Sequence, residues 1–192
     1  MNMELVIASN NQHKAKEIRA ILSGKFDRIY TLADLSIAVD PDESAPDFLG
    51  NAMIKARAVA AFTDKAVIAD DSGLEVMALG GAPGVKSARY AGEPTSDDRN
   101  NEKLLAELNG AVNREARFVT TIVLLFPNGK SVIGQGEVKG EILREKRGTN
   151  GFGYDPLFYC IELGKTFGEA TDAEKNSVSH RARALKNLLE KL

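Results

Sequence analysis

Hydrophobic positions along the chain follow two alternating periods. The apolar run "ELVIA", Glu4 to Ala8, predicts a short strand, and the following Ser9 is placed to cap a helix that runs to about Gly24. A second strand is predicted near Arg28 to Leu32, and "PDFLGNAMIKARAVAAF" predicts an alanine-rich helix with Pro46 at its start. "AVIAD" is an unbroken apolar run, as in a strand buried on both faces; it ends in Asp70 and Asp71, and the Ser-Gly after them predicts a turn into a glycine-rich loop. "SDDRNNEKLLAEL" predicts a helix stopped by Gly110. "RFVTTIVLLF", residues 117 to 126, is turned back by "PNG" into "KSVIGQGEVKGEI", an antiparallel hairpin. The last helix is marked by Val178, Ala182, Leu185, Leu189 and Leu192, spaced to form one apolar face. Strands that first alternate with helices and later pair with each other predict an α/β protein with a mixed sheet.

Length and composition narrow the reading only slightly. A chain of 192 residues fits one domain, in two lobes at most, and buries roughly 70% of its unfolded surface. With 43% hydrophobic and 27% charged residues, a net charge of -2 and a pI near 5.8, there is no general basic field for nucleic acid, so an anionic ligand must be held by local groups. The single cysteine, Cys160, forms no intrachain disulfide and suits a reducing compartment. The N-terminal apolar run is too short for a signal peptide and no stretch has membrane-spanning length, so the expectation is a cytoplasmic protein with no membrane partner.

Four groups of residues carry candidate chemistry, and each has an ordinary alternative. In "SNNQHKAKE" the free N–H groups of a helix start, with Ser9, Asn11 and Lys14, suit a phosphate; a plain helix cap with a solvated lysine is the alternative. Asn51 and Lys55 share a helix face, from which Lys55 reaches either a phosphate or water. Asp70 and Asp71 repel one another, and burying them requires a cation. Their side chains leave the strand in different directions, so one can brace the loop while the other meets a divalent ion; a solvated turn is the alternative. Finally "GTNGFGYDP" and "EKNSVSHRARAL" combine close backbone approach, the flat faces of Phe152 and Tyr154, and the donors Lys175, His180 and Arg181, or else form a glycine-aromatic turn packed under a helix. Together these groups supply the parts of a nucleoside triphosphate site.

The segments "SNNQHKAKE", "NAMIKARA", "ADDSGLEVMALGGAPGVKSARYAGE", "GFGYDP", "TFGEAT" and "EKNSVSHRARAL" resemble, in order and spacing from about Val6 to Leu188, the inosine/xanthosine triphosphate pyrophosphatases. The resemblance implies an elongated mixed β-sheet flanked by helices, with residues 1–192 forming a single domain of two lobes with a central cleft, assembled as a homodimer. It implies Mg²⁺-dependent hydrolysis of the non-canonical purine nucleoside triphosphates ITP, dITP and XTP to monophosphate and pyrophosphate, and no nucleic-acid partner.

Carried over by residue, the resemblance implies that Ser9, Asn11 and Lys14 bind the triphosphate within a substrate segment that also includes Asn10, Gln12 and His13, and that Lys55 assists. It makes Asp71 the catalytic carboxylate and a metal ligand, with Glu43 or Asp42 as the second metal-binding acid, and Ser72 a substrate contact. Phe152, Gly153, Tyr154 and Asp155 flank and read the base, and Lys175, His180 and Arg181 complete its pocket. Hypoxanthine presents an acceptor at O6 and a donor at N1–H, the inverse of adenine. The expectation is that His180 and Arg181 donate to O6, while Asp155 or a backbone carbonyl accepts from N1–H. Three positions depart from the family pattern: Gly50, where an acid is frequent, Lys86, where an aromatic is common, and Ala182, where glycine is common. A nucleotide sensor without turnover and a nucleic-acid-binding module are the competing classes.

Overall fold

A computed structural model describes residues 3–192. In chain order the main elements are β1 (Glu4–Ile7), α1 (Gln12–Leu22), β2 (Arg28–Thr31), α2 (Phe48–Ala60), β3 (Ala66–Val76), α3 (Asp97–Glu107), β4 (Glu115–Leu125), β5 (Ser131–Ile142), β6 (Phe158–Cys160), β7 (Lys165–Thr166), α4 (Asp172–Val178) and α5 (His180–Leu189). The strands form one mixed sheet in the order β2-β1-β3-β4-β5-β6-β7. β1 runs parallel to β2 (Glu4 opposite Arg28) and to β3 (Leu5 opposite Ala66), while β6 is antiparallel to β5 and β7. β4 and β5 are sheet neighbours joined by the expected tight turn, closed by Phe126 N–H donating to Lys130 C=O at 2.8 Å.

The chain divides into two compact units. The first contains the described residues up to Asp71, Thr120–Gly136 and Arg181–Leu192; the second contains Ser72–Val119 and Glu137–His180.

In the first unit the strands are covered on both faces. Leu5, Ile7, Ile68, Ile122 and Leu124 pack with Ala15, Ile18 and Leu22 of α1 and with Ala184, Leu185 and Leu188 of α5. The alternate residues Val6, Val67, Ala69, Val123 and Leu125 pack with Ala52, Ala56 and Val59 of α2. This double burial is why "LVIA" and "AVIA" lack polar alternation. In the second unit Leu74, Val76, Phe118, Val138 and Ile142 pack with Leu104 and Leu108 at the α3 end, and with Leu157, Phe158 and Phe167.

Four expectations change. α1 is capped by Asn11, whose Oδ1 accepts from Lys14 N–H at 3.1 Å, because Ser9 Oγ is turned to the Asn11 N–H at 3.2 Å. α2 is capped by Asp47, which accepts from Gly50 N–H at 2.7 Å, so Pro46 precedes the helix. β3 does not stop at the aspartates but continues to Val76. Gly73 permits this: a Cβ there would stand 2.2 Å from Gly84 O and 2.7 Å from Ser87 Oγ, so only glycine lets that turn close on the strand, where Ser87 Oγ accepts from Leu74 N–H. The C-terminal stripe is also interrupted. The chain breaks at Ser179, leaving Val178 on α4 against the second unit's core, while Ala184, Leu185 and Leu188 form the buried face of α5 and Leu192 is 44% exposed.

Candidate active site

The aspartate pair lies inside β3, and the pleat explains its adjacency. Successive side chains leave a strand on opposite faces, so Asp70 points to the layer of α1 and α5, and Asp71 to the layer of α2. Each carboxylate meets a different set of charges.

Asp70, 1% exposed, accepts from Arg181 Nε at 3.3 Å and Nη2 at 3.2 Å, and lies 3.2 Å from Lys14 Nζ. The Arg181 Nη1 bonds to Glu17, one turn beyond Lys14 on α1. Burial alone would raise the Asp70 pKa, but Lys14, Arg181 and Lys55 overcome it and hold the carboxyl well below the usual range. Burial lowers the Lys14 pKa despite Asp70, and although burial also disfavours the Arg181 cation, Asp70 and Glu17 keep that guanidinium firmly charged. This side of the strand is a packed ionic anchor. Arg181, expected at the base pocket, is buried in that anchor in the first unit.

Asp71 has a different setting. Its Oδ2 accepts from Asn51 Nδ2 at 3.1 Å, and its Oδ1 lies 3.5 Å from Lys55 Nζ, which also bonds to Glu43 at 2.9 Å. Asn51 is oriented by its other end, where Oδ1 accepts from Ala45 N–H at 2.9 Å, and this ties α2 to the segment carrying Glu43. The absent side chain at Gly50 makes room for that segment, since a Cβ would stand 2.5 Å from Ala45 Cβ. From β4, the Thr120 hydroxyl donates to the Asp71 carbonyl at 3.0 Å. Burial raises the Asp71 pKa, Lys55 and Lys14 pull it back, and Glu43 adds to the rise. For Lys55 the order is reversed: burial disfavours its charge, yet Asp70, Asp71 and Glu43 raise its pKa. Asp71 is therefore more basic than an ordinary carboxylate, as suits taking a proton from water.

The chemistry of this set fits a hard divalent ion. Asp71 and Glu43 both face one ammonium, so their oxygens already surround a common point of positive charge, and Mg²⁺ takes one or two carboxylates when phosphates supply the rest. Of the two expected acids, Glu43 is half-buried and bonds to Lys55, while Asp42 is exposed.

The remaining residues of the first motif sit around the start of α1. Gln12 and His13 are exposed in the first turn, where backbone N–H groups lack helical partners. Asn10 instead holds the following segment, donating to Val39 O at 3.0 Å and to Asp40 at 3.3 Å.

In the second unit, where half-buried Ser72 begins, the "GFGYDP" turn is built around Asp155. Its Oδ2 accepts from Phe152 N–H at 3.0 Å and from Lys175 Nζ at 2.6 Å. The Lys175 ammonium lies 4.7 Å from the Phe152 ring centroid and 5.5 Å from that of Phe167. Two expectations change here. Tyr154 is 4% exposed, with its hydroxyl donating to Ser87 O at 2.7 Å, so Phe152, half-buried, is the ring of this turn open to a ligand. Asp155, expected as an acceptor for N1–H, is instead committed to the turn and to Lys175. His180 is buried and stacked on Phe118 at 4.9 Å between centroids.

Sequence reasoning overlooked Glu17, Thr120, Asp97 and Asn101. Glu17 stands three residues after Lys14, a helical spacing that marks the shared face, but its partner Arg181 is 164 residues away.

The Ham1 family model matches residues 5–191. A dITP/XTP pyrophosphatase from Desulforamulus reducens is 46% identical over 190 residues, which cover 98% of this chain and 94% of that protein. One of the same name from Desulfotalea psychrophila is 48% identical over 181 residues, covering 94% and 81%. The Staphylococcus aureus Ham1 protein structure matches with a TM-score of 0.85 at 44% identity, covering 98% of this chain and 96% of that one. The HAM1 protein from Coxiella burnetii gives 0.86 at 39% identity, covering 99% and 100%. With the family model spanning nearly every residue and relatives this similar over their length, the chain belongs to the Ham1 family.

Proposed function

We propose that this protein hydrolyses the non-canonical purine nucleoside triphosphates dITP, ITP and XTP to the monophosphate and pyrophosphate, with Mg²⁺, as a cytoplasmic homodimer that uses no nucleic-acid partner. The observation that carries the reading is Asp71, a carboxylate made basic by burial and sharing Lys55 with Glu43. The relatives named dITP/XTP pyrophosphatase support the choice of substrate. No helix among the described residues is long and apolar enough to cross a membrane.

In this reading Ser9, Asn11, the first-turn N–H groups of α1, Lys14 and Lys55 take the triphosphate, and Ser72 adds a contact at the start of the second unit. Asp71 aligns the attacking water and receives its proton, while Asn51 holds the carboxylate in one orientation. Asp71 and Glu43 would hold Mg²⁺, which supplies charge withdrawal from the phosphate oxygens. Lys55 neutralises both carboxylates until substrate arrives. Phe152 offers a face to the purine, Lys175 keeps a positive charge beneath that ring, and His180 donates toward O6.

Steady-state kinetics with ITP, dITP, XTP, GTP and ATP, with and without Mg²⁺, test the proposal. The expected result is Mg²⁺-dependent turnover with kcat/KM for the first three above ATP by a factor on the order of 10⁴, since adenine inverts the O6 and N1 pattern. Binding without turnover would replace the reading by a nucleotide sensor.

A further inference from the structure

The turn that carries Phe152 is held from outside by α3. Ser96 caps this helix, and Asp97 and Asn101 follow at i and i+4, which places them on one face. Asp97 Oδ2 accepts from Gly153 N–H at 2.7 Å, and Asn101 Nδ2 donates to Gly153 C=O at 2.9 Å. Both backbone groups of the residue after Phe152 are thus taken by one helix. The groups of Phe152 itself are taken inside the turn, its N–H by Asp155 Oδ2 and its C=O by Asp155 N–H at 3.2 Å. Gly153 has φ +60°, a conformation other residues adopt only with strain, so the turn depends on such bonds to stay in place.

Asn101 makes this contact at a cost. It is buried, and its Nδ2 also donates to Asp97 O at 2.8 Å, while its Oδ1 has no hydrogen-bond partner. Turning the amide over would aim its oxygen at two carbonyl oxygens, so the observed orientation is fixed and its buried acceptor stays unsatisfied. An unsatisfied buried polar atom is costly, and a leucine, with the same branched shape, would avoid it.

We infer that Asp97 and Asn101 are positioning residues for base recognition: they clamp Gly153 so that Phe152 is presented over Lys175 in one place. The inference rests on the purine triphosphatase reading above. It concerns discrimination between bases, not the hydrolytic chemistry of Asp71, which lies in the other unit. A clamp that sets the ring's position acts mainly on KM for the preferred base, because only a base with the matching edge depends on accurate placement.

The test compares Asn101→Leu, Asp97→Ala and Asp97→Asn with the natural protein, measuring pyrophosphate release from ITP and ATP, thermal midpoints and hydrogen exchange at the Gly153 amide. Asn101→Leu and Asp97→Ala are expected to lower the ITP-to-ATP ratio of kcat/KM about ten-fold, the worth of one hydrogen bond in a dry site, mostly through KM for ITP, and to speed Gly153 exchange. Asp97→Asn keeps an acceptor for Gly153 N–H and is expected to retain the ratio. An unchanged ratio in folded Asn101→Leu, or equal losses on both nucleotides, overturns the inference while the hydrolase reading stands. Absence of turnover in the natural protein overturns both.

Discussion

Two adjacent aspartates that look equivalent in the sequence are expected to respond oppositely to the same substitution. Asp70→Asn removes the carboxylate charge facing Arg181 and Lys14, and the guanidinium is 1% exposed, so it cannot recover water in place of its partner. Removing one member of a buried ion pair costs about 3–5 kcal/mol, which for a protein of this size lowers Tm by about 6–20 °C. Asp71→Asn removes a charge that burial already disfavours; the amide still accepts from Asn51, and Lys55 keeps Glu43. Its stability is expected to change by less than about 1 kcal/mol, whereas turnover falls by about 10²–10⁴-fold through loss of a general base. Calorimetry of both variants without nucleotide, beside pyrophosphate release at saturating ITP and Mg²⁺, separates the roles. Equal loss of Tm in the two variants, or near-normal kcat in folded Asp71→Asn, would refute the division of labour across the strand.

Gly73→Ala is expected to destabilise the protein by about 3 kcal/mol, because the obstacle to a Cβ is the Gly84 backbone and not a movable side chain; an unchanged urea midpoint would contradict this. Acid is expected to weaken the fold through Asp70. Its folded pKa is depressed, so its contribution is complete above the unfolded value of about 3.9 and is lost as pH falls through the folded one. Urea midpoints from about pH 5 down to about pH 2 would show this loss, and Asp70→Asn should flatten the slope.

The sequence reveals the layers of the first unit more readily than its chemistry. Doubly buried strands announce themselves as unbroken apolar runs, and Gly24 and Gly110 stop helices where a positive φ is required. The Ser-Gly after the aspartates misleads because it imitates a turn. Gly73 is needed for a close approach by Gly84, and that partner is set by tertiary packing, not by local propensity. Arg181 is similar. Its place beside His180 in "SHRARAL" associates it with the base, but successive residues of α5 point in different directions, so Arg181 meets Asp70 and Glu17 in the first unit while His180 stacks on Phe118 in the second. Which of Asp42 and Glu43 meets Lys55 is not legible in the sequence, since it depends on Asn51 drawing in the backbone at Ala45. Tyr154 and Phe152 look alike in the sequence, but Tyr154 is buried with its hydroxyl on Ser87 O, whereas Phe152 is only half-buried.

The products formed from ITP with Mg²⁺ decide whether Asp71 and its surroundings cleave a triphosphate between the α and β phosphorus atoms. Inosine monophosphate and pyrophosphate are expected in equal amounts, with both lost in Asp71→Asn. Inosine diphosphate with orthophosphate would contradict it.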